Sequence, residues 1–167
     1  MTRIHINIGS NKGDRAALIE RAVALIAYRL DPAALAQIRL APLVESAPWG
    51  FDSPNPFLNL GMTVDLPADI VDPHRLLSEL QAVEREISAA SHRDSSGAYV
   101  DREIDIDLIA VGSMVVDDEI LTLPHPRMHL RPFVLEPVAE LDPDWTHPLT
   151  GLTAAEMLNA SGSKTTR

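Results

Sequence analysis

The chain has 167 residues, 46% hydrophobic and 23% charged, the balance of a globular protein with room for one substantial core. A net charge of -10 and a pI near 4.9 exclude the basic surface that non-specific nucleic-acid binding needs, yet leave local arginines able to hold phosphates. No cysteine occurs, which removes disulfides, thiolate metal sites and thiol nucleophiles.

Alternating apolar residues in Arg3-Ile4-His5-Ile6-Asn7-Ile8 predict a strand over 2–8, closed by Gly9-Ser10-Asn11. That opening has no basic region followed by an apolar run, and no apolar stretch approaches the ~18–20 residues that span a bilayer. The expectation is therefore a cytoplasmic protein with neither a membrane nor a nucleic-acid partner. Asp14 reads as the N-cap of a helix from Arg15 to Leu30, apolar at Leu18, Ala22, Leu25 and Ile26 and stopped by Asp31-Pro32. A second strand is expected over 37–45. A Pro- and Gly-rich loop around Trp49 follows, then a third strand over 57–66. Asp72 caps a second helix with Pro73 at its first position, running to about Ala89 with Leu76, Leu77, Leu80, Val83 and Ile87 apolar. Residues 90–101 are small and polar and read as a flexible loop. The run Arg102 to Val111 is a strand, Met114-Val115-Val116 a short one, and helices are expected over Pro132 to Leu141 and Thr153 to Asn159, with a frayed tail over 161–167.

The order β-α-β, β-α-β followed by an α-rich tail suggests an α+β, ferredoxin-like sandwich, a mainly antiparallel sheet with helices packed on it. A parallel flavodoxin-like sheet is disfavoured because only a loop separates the second and third strands.

The strand 102–111 carries the chemistry. Side chains alternate faces, so Asp105 and Asp107 share one face while Ile104, Ile106 and Leu108 point to the core. Two carboxylates side by side repel unless a cation lies between them, and a hard divalent ion such as Mg²⁺ brings phosphates with it. A solvated acidic strand face is the competing reading, with Glu103 in its favour. Arg102 suits charge neutralisation on a transferring phosphoryl group, or a salt bridge to Glu103 or Asp101. Pro124-His125-Pro126 fixes an imidazole, with Arg127, His129 and Arg131 near it in sequence. Gln81 and Glu84 share a helix face that is either solvated or ligand-facing. Phe57, Asn59 and Phe133 suit a flat heterocycle or a core, Asn59 being a polar residue in an apolar strand that asks for a partner. Trp49 on its loop is a large aromatic of the kind that meets ligands. Gly9-Ser10-Asn11 lacks Walker spacing and lysine, and no G-x-G-x-x-G occurs.

Together these segments resemble the 6-hydroxymethyl-7,8-dihydropterin pyrophosphokinase family of folate biosynthesis. The most specific part is Arg102-x-x-Asp105-x-Asp107, followed by Leu123-Pro124-His125-Pro126 and Arg131-x-Phe133-Val134-Leu135-x-Pro137, with Phe57-Leu58-Asn59 and Val83-Glu84 upstream. The likeness runs from Ile8-Gly9-Ser10-Asn11 to about Leu158 and implies a single pyrophosphokinase domain over 1–160. It implies a Mg²⁺-dependent diphosphotransferase that moves pyrophosphate from ATP to the pterin hydroxymethyl group and leaves AMP. By that likeness Arg102, Asp105 and Asp107 are catalytic, and the two aspartates hold two Mg²⁺ ions. Gln81, Glu84, Arg102, Leu108, Thr122, His125 and Arg131 would bind ATP. Ser46, Ala47, Trp49, Phe57, Asn59, Tyr99 and Phe133 would bind the pterin, with Tyr99 on a loop that closes over the substrates. The partners implied are these small molecules, and a monomer is expected.

One departure stands out. After the helical glutamate the family carries Gly-Arg-x-Arg, whereas this chain has Ser88-Ala89-Ala90-Ser91 followed by His92-Arg93. The altered stretch motivates an alternative, a pterin- or nucleotide-binding paralogue impaired in transfer.

Overall fold

A computed structural model describes residues 1–31, 37–88 and 101–162. Strand β1 (Thr2–Ser10) runs along the middle of the sheet, antiparallel to β4 (Phe57–Leu66) on one side and to β5 (Asp105–Val111) on the other. Two short strands, β2 (Ile38–Leu40) and β3 (Val44–Ser46), pair with the outer edge of β4, giving the order β2-β4-β1-β5. With β2 and β3 counted as one interrupted strand, this is the strand order of the ferredoxin-like sandwich, and the α+β expectation holds. The single strand expected over 37–45 is broken because Pro42 has no N–H to give to a ladder, so pairing lapses between β2 and β3 and resumes at Val44.

The two faces of the sheet are covered differently. Ile4, Ile6 and Ile8 of β1 point to α1 (Arg15–Leu30) and α2 (Pro73–Ile87) and are almost wholly buried with Ile19, Ala22 and Ile26 of α1, Leu76, Leu80 and Val83 of α2, and Ile106 and Leu108 of β5. The buried stripe of α1 passes through Ile19, Ala22, Ile26 and Ala27, with Leu18 and Leu25 at its margins. Both helices start where the caps predict. Asp14 accepts from Ala17 N at 3.2 Å, and Asp72 accepts from His74 N at 3.0 Å and Arg75 N at 3.4 Å ahead of Pro73. Within the described residues α2 ends at Ile87, with Ser88 N bonding back to Glu84 O.

The opposite face carries α3 (Pro132–Leu141) and α4 (Ala154–Gly162), which enclose a second core of Ile109, Ala110, Met128, Val134, Leu135, Val138, Trp145 and Met157. A β-bulge makes room for it: the register slips between His5 and Ile6, so that Ile109 and Ala110 both turn to the α3 side. α3 lies so close to the sheet that a Cβ on Gly61 would overlap Pro137. Its C-cap Asp142 sits 3.0 Å from His5 Nε2 and 3.3 Å from Arg3 Nη1, and the His5 hydrogen bond, with Arg3 behind it, holds that carboxyl below the usual carboxylate range. Thr153 and Glu156 form a reciprocal capping box at the start of α4, at 3.1 and 3.2 Å. That helix continues through Ser161 to Gly162, beyond the Asn159 expected. The short strand near 114–116 is a hairpin of β6 (Val116–Asp117) and β7 (Thr122–Leu123), which leads through a cis Leu123-Pro124 bond to His125.

Candidate active site

On the α3 face the register of three strands assembles the site. Asn7 pairs with Gly61 on one side and Asp107 on the other, and Gly9 pairs with Asn59 and Asp105. Directly opposed side chains in an antiparallel ladder stand about 4.5–5.5 Å apart, so two adjacent rows bring Asn59, Asn7, Asp105 and Asp107 onto one floor. Gly9 keeps that floor low: a Cβ there would press to 3.3 Å on both Asn59 Oδ1 and Phe57 Cδ1. Beyond the end of α3 the floor is open, and its slot is lined also by Ser46, Ala47, Trp49, Phe57 and Phe133.

Asn59 is 3% exposed, and its Nδ2 donates to Val44 O at 3.1 Å and Ser46 Oγ at 2.7 Å. The partner that a buried amide demands is thus partly β3 itself, leaving Oδ1 beside Gly9 and the slot. Phe57 is buried and meets Phe51 edge-on at 6.3 Å. The guanidinium of Arg102 lies 5.3 Å from the Phe57 ring centroid, and those of Arg131 and Arg127 lie 4.5 and 5.4 Å from that of Trp49. Trp49 is half-buried under these cations rather than standing free on its loop.

Next to the slot is a wider cavity of about 270 Å³, lined by Arg102, Asp105, Asp107, His125, Pro126, Arg127 and Arg131. Asp105 and Asp107 are partly accessible and face it together, as alternation predicts. Arg102 Nη2 is 3.2 Å from Asp105, and Arg131 Nη1 is 3.4 Å from Asp107. The Nε of Arg131 has no acceptor among the described residues although it is buried, an orphaned donor that an anion would satisfy. His125 is held by its N–H to Ile109 O at 2.8 Å, and its Nδ1 accepts from Arg127 N at 3.1 Å, which leaves the imidazole proton on Nε2. Burial, followed by Arg131, pushes this histidine down to about 4. With that lowering it is a neutral hydrogen-bond donor at pH 7.

A knot of hydrogen bonds fixes Arg102. Asn11 Oδ1 accepts from Arg102 N at 2.8 Å, and Asn11 N donates to Arg102 O at 3.2 Å. Asn11 Nδ2 reaches Asp101 Oδ1 at 2.7 Å and Asn55 O at 3.2 Å, while Asn55 Nδ2 reaches Asp101 Oδ2 at 2.6 Å. Ser53, with Asn55 and Asn11, holds the Asp101 carboxyl below its ordinary range. The end of β1, the Trp49 loop and the entry to β5 are therefore tied at one point.

Four of the residues expected at the nucleotide do not line this cavity. Leu108 is buried on the other face with Leu80 and Val83, and Gln81 and Glu84 belong to α2 on that same side. Thr122 lies in the β6–β7 hairpin. Tyr99 and Arg93 lie outside the described residues, as does the altered stretch from Ala89 onward. Sequence reasoning passed over Asn7, Asn11 and Asp101. Asn7, like Asn59, is an amide within an apolar strand. The tie of Asn11 to Asp101 is made across loops and left no local signal.

Two carboxylates and three arginines around a cavity, joined to an amide-floored aromatic slot, have the make-up of a transferase site. A family model described as 7,8-dihydro-6-hydroxymethylpterin-pyrophosphokinase (HPPK) matches residues 5–143. The chain is 37% identical over 150 residues to a 2-amino-4-hydroxy-6-hydroxymethyldihydropteridine pyrophosphokinase of Porphyromonas gingivalis, covering 89% of this chain and 95% of that one. It is 36% identical over 152 residues to the enzyme of that name from Mycobacterium bovis, covering 86% and 74%. Among solved structures, the wild-type Plasmodium falciparum HPPK-DHPS with pteroate superposes with a TM-score of 0.66 at 12% identity, over 98% of this chain and 45% of that one. The chain thus spans less than half of that longer protein, and the likeness there is one of fold. This chain belongs to the 7,8-dihydro-6-hydroxymethylpterin-pyrophosphokinase family, enzymes of the diphosphotransferase class acting in folate biosynthesis.

Proposed function

We propose that the protein transfers pyrophosphate from ATP to the hydroxymethyl group of 6-hydroxymethyl-7,8-dihydropterin in a Mg²⁺-dependent reaction. The observation that carries this reading is the pair of rows across β4, β1 and β5, which sets Asp105 and Asp107 beside the Asn59 slot on one sheet face. The pterin lies between Phe57 and Phe133, and Asn59 Oδ1 reads its donor edge with help from the segment Ser46, Ala47 and Trp49. Arg102, Arg131 and neutral His125 hold the triphosphate, and Arg127 borders the same cavity. To do so Arg102 and Arg131 leave the aromatic faces on which they rest.

Asp105 and Asp107 fit a hard cation. Both supply carboxylate oxygens from a rigid strand, and among the described residues no third acidic or histidine ligand joins them, the donor set of an ion that takes its remaining oxygens from phosphates and water. Two Mg²⁺ ions held there would neutralise the phosphate charge and orient the hydroxyl. The chain's own part is positioning. The slot aligns the hydroxyl oxygen with the β-phosphorus; the new O–P bond forms as the bond from that phosphorus to the bridging oxygen of AMP breaks, and the hydroxyl proton passes to solvent. Arg102 and Arg131 stabilise the charge shared over the transferring group. Leu108, Gln81, Glu84 and Thr122 meet the nucleotide only if ATP reaches past the β5 edge, and Tyr99 would close over both substrates.

Incubation with ATP, the dihydropterin and Mg²⁺ tests the reading. It predicts AMP and pterin pyrophosphate in equal amounts, abolished by chelation. ADP as product would contradict it. Pterin binding without AMP would favour the impaired paralogue suggested by the stretch Ser88 to Arg93.

A further inference from the structure

We infer that Asn7 is an additional substrate-contacting residue, an amide on the floor of the slot that accepts a hydrogen bond from the ring N–H edge of the heterocycle. The inference rests on the pterin reading above and assigns that substrate one more contact. Asn7 is 4% exposed, and its Oδ1 has no hydrogen-bond partner among the described residues. A buried carbonyl that gives up water without gaining a donor is unfavourable, and it lies next to a place where a ligand can supply one. Asn7 lines the slot together with Asn59, Phe57 and Phe133. On the sheet it stands between Gly61, whose flank is filled by Pro137 of α3, and Asp107, on whose side the floor is open to the slot. It therefore bridges the recognition end of the floor, where Asn59 sits one row away, and the reacting end at the aspartates. The Nδ2 of Asn59 is already committed to Val44 and Ser46, so the floor needs a second amide to read further polar edge atoms. A reduced pterin offers ring N–H donors of the class that Oδ1 lacks.

Two substitutions separate hydrogen bonding from shape. Asn7→Ala enlarges the slot and Asn7→Leu fills it, while both remove the acceptor. Pterin dissociation constants by titration calorimetry and separate KM values for pterin and ATP are measured, with thermal melting as the check on folding. The inference predicts that both variants weaken pterin binding and raise its KM by roughly 3- to 10-fold, the worth of one hydrogen bond, with KM for ATP unchanged. It also predicts that Asn7→Leu melts no lower than wild type, because an unsatisfied buried amide has gone. Opposite shifts in the two variants would mean that Asn7 only sets the shape of the slot, and the inference fails. A rise in KM for ATP instead, or no change at all, overturns it as well. If wild-type protein itself does not bind the pterin, it is the proposed function that has failed.

Discussion

A single strand shows both halves of the design. Along β1 the residues Ile4, Ile6 and Ile8 face α1 and α2 and are 0–2% exposed, while Arg3, His5, Asn7 and Gly9 face α3 and the site. The first face is apolar, continuous and closed by two helices with ordinary caps. The second is polar along its length, and each polar group there is tied, aimed or left waiting: Arg3 to Asp65 at 2.8 Å, His5 to Asp142, Asn7 with an Oδ1 that has no donor among the described residues, and Gly9 kept bare under Asn59. Burial on the first face holds the sheet rigid, and rigidity lets the second face hold two carboxylates beside each other and an orphaned amide. Changes on the first face should cost stability, and changes on the second should cost turnover.

The largest expected effect is on the second face. Asp107→Ala should lower the rate of AMP formation by roughly 10³-fold or more, since it removes half of the carboxylate pair. The melting temperature should stay close to wild type, because the residue is partly accessible and relief of its repulsion with Asp105 offsets the loss of its 3.4 Å pair with Arg131. On the first face, Ile6→Ala should do the reverse. It should destabilise by about 2–5 kcal/mol, read as a lowered denaturation midpoint at unchanged slope, with KM for both substrates unaltered in the folded fraction. An Ile6→Ala protein of wild-type stability with poor turnover would break the comparison.

A smaller effect is expected at the knot that holds Arg102. Asn11→Ala removes three side-chain bonds that steady the loops but touches no reacting atom, so kcat/KM should fall by roughly 10-fold with the residual activity still dependent on Mg²⁺. Loss comparable to that of Asp107→Ala would mean that Asn11 acts on the substrate itself.

The last effect is on acid stability and appears only as the pH is lowered. Burial lowers His125 from 6.5 to about 4 in the folded protein. Above pH 6.5 neither state binds the proton. As pH falls from 6.5 to 4 the unfolded chain takes it up and the folded one does not, so stability is lost across that window and levels off below it. His125→Gln should therefore lose less stability than wild type between pH 7 and pH 4, by up to about 3 kcal/mol in chemical denaturation. Equal losses would show that His125 titrates normally. The Asp142 carboxyl, held low by His5, adds to the acid loss of both proteins as it protonates.

Much of the fold was legible because its signals are local. Asp14, Asp72 and the apolar periodicity mark the starts of α1 and α2, and alternation gave the bounds Phe57–Leu66 and the shared face of Asp105 and Asp107. The same alternation put Leu108 in the core, and its side chain is buried there. What local signals did not reveal depends on register and loop closure. Asn7 acquires meaning only when β1 is aligned with Asp107, and Asn11 only when the entry to β5 folds back to the end of β1. The interruption near Pro42 could be read from the missing N–H, but the resumption of pairing at Val44 is set by β4.

The central claim, that the polar face of this sheet moves pyrophosphate as a unit onto a pterin, is tested most directly by a single turnover with ATP labelled at the β-phosphorus. The account predicts that the label leaves with the pterin product and that the AMP formed is unlabelled. Label retained in a nucleoside diphosphate, or released as free pyrophosphate while the pterin stays unmodified, would contradict it.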